Sequence, residues 1–162
     1  MSSASAAAGP ASAPVAAAVA LLWDLDNVSV SRDDLPDLAR ALAALVPPQA
    51  PRIVAAHYRA YRTHRDMLAE QSFRVLCGGN QPEGTDGVLL RQARRLRRKR
   101  GIGQFVLASN DRDFARIATF GSLHVVTLDP TRLSARLRDR ANAVTVLARA
   151  PAGWRTTTVE PS

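Results

Sequence analysis

Three short acidic motifs contain the residues best suited to chemistry in this sequence. Residues 24–27 read DLDN, residue 86 is an aspartate that follows Thr85, and residues 109–114 read SNDRDF. Carboxylates that lie close together repel each other and raise one another's pKa values, and a bound cation removes that penalty. Hard oxygen ligands of this kind suit Mg²⁺ or Mn²⁺. The motifs therefore predict a divalent metal centre, provided that the fold gathers them in one place.

Such a centre would suit the hydrolysis of phosphodiester bonds. The sequence shows no obvious pairing of a nucleophile with a base that would start covalent catalysis. One or two metal ions can lower the pKa of a water molecule and neutralise charge on the phosphate. The 22 Lys and Arg residues outnumber the 14 Asp and Glu residues, giving a net charge of +8. This excess favours a polyanionic partner such as a nucleic acid, although arginines also serve simply to keep a surface solvated.

Apolar runs alternate with segments of helical period along the chain. Continuous apolar runs predict strands buried on both faces, and their alternation with helices predicts a parallel sheet between helical layers. The expected fold class is α/β, a three-layer α/β/α domain with a mainly parallel central sheet. Strands are predicted at residues 19–24, 53–58, 73–77, 105–108, 123–128 and 143–147, and helices at residues 35–45, 64–71, 85–101 (with Thr85 as N-cap), 111–120 and 134–140.

The functional crevice of such a sheet lies beyond the carboxyl ends of its strands. DLDN and SNDRDF directly follow predicted strands, and Asp86 begins a predicted helix. Each residue also has an ordinary structural explanation. Asp86, Asp111 and Asp113 would be favoured in the first turn of a helix by its dipole, and Asn27 in a turn. Because all three motifs are expected at one edge of the sheet, the metal site is the favoured interpretation.

Composition predicts the domain boundaries and the compartment. We expect a disordered tail rich in Ala, Ser and Pro over residues 1–17, one folded domain over residues 18–150 and a flexible tail over residues 151–162. The first tail lacks the basic residues of a signal peptide, and no apolar run approaches the ~20 residues of a membrane span. The lone Cys77 fits a reducing compartment. The expected protein is cytoplasmic and has no membrane partner.

The acidic motifs resemble those of the NYN group of PIN-like nucleases. That group has D-x-x-N after the first strand, G-x-D-x-x-L in mid-chain and S-x-D-x-D-F after the fourth strand, and this sequence reads LLWDLDN, GTDGVLL and LASNDRDFARIA. The resemblance spans residues 19–147. It implies a PIN-like, Rossmann-like topology and a metal-dependent ribonuclease activity. The implied site has Asp24, Asp86, Asp111 and Asp113 as catalytic metal ligands, with Asn27, Ser109 and Asp26 as supporting polar groups.

The sequence departs from the NYN pattern near two of these motifs. Many relatives have a lysine three residues before the mid-chain aspartate, where this chain has Glu83. A small residue is also common in the last motif, where Asn110 and Arg112 stand. These changes leave the choice of RNA target and the role of Glu83 open.

Two groups of arginines are placed to contact a nucleic-acid backbone. In the predicted helix 85–101, Leu89, Ala93 and Leu96 would face inward, so that the arginines project outward. The basic end of that helix would lie ~20 Å from the acidic edge and hold flanking RNA. The stretch 58–65 is nearer to the predicted strand ends, and its Tyr61 could stack on a base. The expected RNA-binding residues are Arg59, Arg62, Arg65, Arg91, Arg94, Arg95, Arg98 and Arg112.

Two alternative functions fit parts of the sequence. DLDN also resembles the D-x-D start of haloacid-dehalogenase-type phosphatases, in which Asp24 would be the nucleophile and Asp26 the acid and base. That family's lysine has no convincing counterpart, because the only lysine, Lys99, ends the arginine-rich helix. The non-enzymatic alternative is an inactive RNA-binding module of the same fold. Metal-dependent cleavage separates the nuclease from both. No histidine pair has ligand spacing, and His57 is expected in the core.

Overall fold

The structure, a computed structural model, describes residues 18–160. The strands are β1 (Val19–Asp24), β2 (Arg52–Ala56), β3 (Arg74–Cys77), β4 (Gln104–Ala108), β5 (Ser122–Thr127), β6 (Ala143–Ala150) and β7 (Gly153–Val159). The helices are α1 (Leu35–Ala43), α2 (Tyr58–Glu70), α3 (Gly84–Arg100) and α4 (Ala135–Arg140), with 3₁₀ helices at Arg112–Thr119 and Pro130–Arg132. The tail predicted for residues 1–17 lies outside the described residues.

All seven strands form one sheet in the order β3-β2-β1-β4-β5-β6-β7. The first six are parallel, and β7 pairs antiparallel with β6. The chain leaves β1 toward β2 on one side and reaches β4 on the other, and a crevice opens at such a switch point. Trp23 is in register with Ala108 across this pair, so the residues that follow them emerge side by side. The predicted α/β class with a mainly parallel sheet is confirmed.

The sheet has an apolar core on each face. On one face, Leu22 and Phe105 pack with Leu89 of α3 and Phe114 of the first 3₁₀ helix. On the other face, β1, β2 and β4 pack against α1 and α2. Burial on both faces explains why these strands are apolar throughout instead of alternating. Each helix is apolar on one side only, and none in the range 18–160 is long and apolar enough to cross a membrane.

Helix α2 begins at Tyr58 instead of residue 64, and β2 ends at Ala56 instead of residue 58. His57 ends the strand because its backbone N–H donates to the Asp26 carboxylate instead of to a neighbouring strand. The strand predicted from the apolar run extended two residues beyond the observed end of β2. His57 is exposed at the sheet edge instead of lying in the core. As a result, all of the basic stretch 58–65 belongs to a helix that starts at the carboxyl edge of the sheet.

The segment after residue 150, predicted to be a flexible tail, contains a strand. Gly153–Val159 pairs with β6 over its whole length, from Ala150 opposite Gly153 to Val144 opposite Val159. The strand is mostly exposed. An edge strand of this kind needs no apolar pattern, which is why the sequence did not predict this strand. Its Thr, Val and Trp residues do have high β propensity, which was the available signal.

Candidate metal centre

Asp24 ends β1 in a buried position, with only 3% of its surface exposed. Its Oδ2 accepts a hydrogen bond from Ser109 Oγ at 3.3 Å. Its Oδ1 is buried and has no hydrogen-bond partner among the described residues. Burial, followed by the charge of Asp26, raises the pKa of Asp24 from 3.8 to about 7. A buried oxygen without a donor fits a ligand to a cation, which would supply the missing partner.

Three further carboxylates converge beside Asp24. Asp86, Asp111 and Asp113 each offer one oxygen, and these three atoms lie within 4.8 Å of one another. Burial, and next the charge of Asp111, raises the pKa of Asp86 to about 7. The charges of Asp24 and Asp113 act in the same direction. This crowding of negative charge is compatible with the binding of a divalent metal ion.

Three of these four carboxylates open into one cleft of about 500 Å³ at the carboxyl edge of the sheet. Asp24, Asp86 and Asp111 all line it, together with Asp26 and Asn27. The exposed Glu83 lies at the same cleft but is outside the group of three carboxylates. The structure thus brings together the residues that the sequence assigned to the site, from three separate segments.

A chain of hydrogen bonds fixes the acidic loop that follows β4. Asn27 Oδ1 accepts from the backbone N–H of Asn110 at 2.7 Å, and the Asn110 side chain accepts from Thr127 Oγ1 at the end of β5. Ser109 Oγ accepts from the Asp111 N–H at 3.2 Å. The ends of β1, β4 and β5 are therefore tied together around Asp111. Asn110, noted in the sequence only as a departure from the family pattern, is part of this framework.

Asp26 joins the end of β1 to the starts of two helices. Its Oδ2 accepts from the His57 N–H at 3.0 Å, where α2 begins, and from Thr85 Oγ1 at 2.7 Å, in the first turn of α3. Thr85 is therefore not the N-cap that the sequence predicted, and Glu83 precedes the helix with a positive φ of 66°. Because both Asp26 partners lie in other segments, only the tertiary structure reveals this contact.

Two glycines bring the start of α3 against the end of β3. A Cβ atom on Gly84 would lie 2.0 Å from the Gly78 carbonyl oxygen, and one on Gly78 would lie 2.6 Å from the Thr85 nitrogen. Such distances leave no room for a side chain at either position. Gly84 in the GTD motif therefore permits the close approach that places Asp86 at the cleft.

The arginines occupy two different regions. Arg59, Arg62 and Arg65 are exposed on α2, which starts at the cleft, and Arg112 directly follows Asp111. The arginines of α3 are exposed on the side of the helix opposite its buried residues. These buried residues include Leu89, Ala93 and Leu96, as predicted. Helix α3 leads away from the cleft, and Arg98 lies roughly 18 Å along its axis from Asp86. The outward arginines of this second region are Arg91, Arg94, Arg95 and Arg98.

Comparisons with known proteins identify the family. The model of the NYN domain matches residues 18–122, which is more than half of the chain. The chain belongs to the NYN domain family, as its motifs predicted, and has the PIN-like fold. It is similar in structure to a protein of unknown function from Vibrio parahaemolyticus RIMD 2210633, with a TM-score of 0.57 and 16% identity over 85% of this chain and 95% of that one. That similarity shows a shared fold. No curated protein matches the chain.

Proposed function

We propose that this protein is a metal-dependent endoribonuclease that hydrolyses phosphodiester bonds of RNA. The observation that carries the proposal is the convergence of Asp86, Asp111 and Asp113 within 4.8 Å, beside the unpartnered Oδ1 of buried Asp24. Membership of the NYN family supports nuclease chemistry in general. The metal, the substrate and the role of each residue belong to the proposal.

The four aspartates would hold Mg²⁺ or Mn²⁺. Asp86, Asp111 and Asp113 are near enough to share one ion, and Asp24 adds an oxygen from the floor of the cleft. When bound, the ion lowers the pKa of a water molecule and offsets charge on the phosphate. The chain's own contribution is to keep the carboxylates in place. Asn27 and Ser109 hold the β4 loop, and Asp26 holds the starts of α2 and α3.

RNA is the proposed partner because of charge. The chain has a net charge of +8, helix α2 with its exposed arginines starts at the acidic cleft, and Arg112 directly follows Asp111. Guanidinium groups bind phosphate in a bidentate manner, so these residues would hold RNA next to the cleaved bond. The arginines of α3 would hold RNA farther from it. The proposed compartment is the cytoplasm, where RNA is abundant.

The geometry gives no support to the phosphatase alternative. A phosphatase would require Asp26 to exchange protons with the substrate, but both of its carboxylate oxygens accept hydrogen bonds from His57 N–H or Thr85 Oγ1. It would also require Asp24 to attack a substrate, but only 3% of the surface of Asp24 is exposed. Both residues are better suited to structural support and cation binding.

RNA cleavage and metal binding test the proposal together. The wild type should cleave a labelled single-stranded RNA in Mn²⁺ and stop in EDTA, and calorimetry should detect Mn²⁺ binding. Asp111→Asn should reduce cleavage by more than about 100-fold, the upper loss typical of groups that merely support a metal ligand. Asp139→Asn, the same change at an exposed position of α4, should leave RNA cleavage and Mn²⁺ binding unchanged.

Three results would contradict the nuclease. Cleavage that persists in EDTA would exclude dependence on a metal. Full activity of Asp111→Asn would remove the acidic cluster from the mechanism. RNA binding without any cleavage would favour the inactive binding module.

A further inference from the structure

A second cavity adjoins the acidic cleft. It has a volume of about 490 Å³ and is lined by Tyr58, Arg59, Arg62, Thr63 and Asn80. Asn80 also lines the acidic cleft, so the two spaces are neighbours that share a wall. We propose that this cavity binds one unpaired nucleotide of the substrate, with its base stacked on Tyr58 and its phosphates on Arg59 and Arg62. The inference rests on the proposed function for the identity of the polymer, and it names single-stranded RNA as the substrate class.

Tyr58 is suited to stacking because its ring is exposed yet held in place. It is 45% exposed and, with Val159, is one of two large hydrophobic residues exposed in the range 18–160. Its backbone N–H donates to the Gly79 carbonyl at 3.1 Å, and the Arg62 guanidinium lies 5.6 Å from its ring centroid. Fixed aromatic rings with free surface are what single-stranded nucleic acids stack on.

Among the described residues, no carboxylate neutralises the charge of either arginine of the cavity, although Arg62 contacts the Tyr58 ring. Within residues 18–160, neither Arg59 nor Arg62 forms an ion pair, whereas Arg40 and Arg149 pair with aspartates on α1 and before it. The first turn of α2 contains no acidic residue. Cations near a helix N-terminus are disfavoured by the helix dipole, so helix stability does not explain them. Phosphate groups of a bound nucleotide would supply the missing negative charge.

The cavity selects single strands because of what stacking requires. The faces of a base in a duplex are covered by its neighbours, and Tyr58 can stack only on a base that has left such a helix. The wall that the cavity shares with the acidic cleft at Asn80 adds a second condition. A chain bound here must continue past Asn80 into the cleft, which a single strand can do by bending.

Binding in EDTA tests this inference without any cleavage. Fluorescence anisotropy should show that wild-type protein binds a short single-stranded RNA more tightly than a duplex of the same sequence. Tyr58→Ala should weaken binding of the single strand by about 5- to 140-fold, which corresponds to 1–3 kcal/mol of stacking. Tyr58→Phe, which keeps the ring, should stay within about twofold of the wild type. Thermal melts should confirm that both variants are folded.

Salt dependence and modified RNA separate the base from the phosphates. Arg59→Ala or Arg62→Ala should reduce the slope of log K against log salt by about 0.7, as expected for one lost phosphate contact on a single strand. Arg155→Ala, on the distant edge strand β7, should not. In RNAs with one abasic residue at successive positions, one position should abolish the difference between wild type and Tyr58→Ala.

The outcomes distinguish this inference from the nuclease proposal. Wild-type affinity in Tyr58→Ala, or equal affinity for duplex and single strand, would overturn the inference while leaving metal-dependent cleavage intact. Binding that depends on Tyr58 in a protein that never cleaves RNA would support the inference while the nuclease proposal fails.

Discussion

Asp24, a proposed metal ligand, shows how burial changes the titration of a carboxyl group. Its pKa of about 7 in the folded protein, against 3.8 ordinarily, means that burial opposes ionisation. Stability is fully present below pH 3.8, and it falls between pH 3.8 and about 7, where the unfolded chain has lost the proton that the folded protein keeps, by about 1.4 kcal/mol for each unit of pKa shift. A cation bound at higher pH would offset that loss.

The stability of an Asp24→Asn variant tests this reasoning. Asparagine cannot ionise, so in EDTA the variant should melt at a higher temperature than the wild type at pH 8, and the difference should shrink toward pH 4. In Mn²⁺ at pH 8 the difference in melting temperature should narrow or change sign, because only the wild type can bind the ion through the Asp24 carboxylate. Melting curves in both buffers provide the measurement. Parallel pH profiles for the two proteins in EDTA would show that Asp24 is not destabilised by its burial.

Asn27 is proposed to position the loop after β4, and Asn142 offers a matched control for this role. Asn27→Ala leaves the Asn110 N–H without its acceptor, which should lower the free energy of unfolding by about 1–3 kcal/mol. Asn142 Oδ1 accepts from the Leu123 N–H at 2.9 Å, a comparable contact at the opposite edge of the sheet. Asn142→Ala should lose similar stability but keep its Mn²⁺ affinity, whereas Asn27→Ala should bind Mn²⁺ more weakly. Equal Mn²⁺ affinities in calorimetry would argue against the positioning role.

At the scale of elements, the start of α3 depends on its contact with the end of β3. Gly78 and Gly84 leave no space between them for a Cβ atom. A side chain at either position would therefore displace the start of α3 and, with it, Asp86. Helix α2 is placed in a related way, since the His57 N–H is held by Asp26. Both helices therefore begin at fixed points on the acidic edge.

Two glycine substitutions in α3 should act in opposite directions. Gly84→Ala would place a methyl group 2.0 Å from the Gly78 oxygen, and the resulting displacement should destabilise the protein by about 1–3 kcal/mol and weaken Mn²⁺ binding. Gly87→Ala meets only the flexible end of Arg91, at 3.3 Å, and should stabilise the helix by up to about 1 kcal/mol. Urea unfolding gives both values. A neutral Gly84→Ala would show that the turn can open without consequence.

At the scale of the whole molecule, the sheet is unevenly protected. Strands β1 and β4 lie inside the sheet, with β1 and most of β4 buried, while β7 forms an exposed edge paired on one side only. Of the proposed metal ligands, Asp24 ends β1, Asp111 and Asp113 follow β4, and Asp86 lies in the first turn of α3. The exposed edge is remote from the cleft, separated from β4 by β5 and β6.

Hydrogen exchange should follow this arrangement. Amides of β1 and β4 should exchange most slowly, and alternate amides of β7 should be protected because only those facing β6 are hydrogen-bonded in an antiparallel pair. Exchange measured residue by residue by NMR gives this pattern. Uniformly fast exchange over residues 153–159 would favour the flexible tail predicted from the sequence.

The sequence by itself determined the α/β class, most of the strands and the family, because continuous apolar runs and short acidic motifs are local signals. It identified Asp24, Asp86, Asp111 and Asp113 as candidates for the same reason. The tertiary structure decided which segments meet. The pairing of β1 with β4, the contact of Asp26 with His57 and Thr85, and the strand at Gly153–Val159 all join residues far apart in the chain or lack an apolar pattern. Local preference does not encode the first two contacts, since they depend on how the whole sheet packs, and the β propensity of residues 153–159 does not say where such a strand pairs.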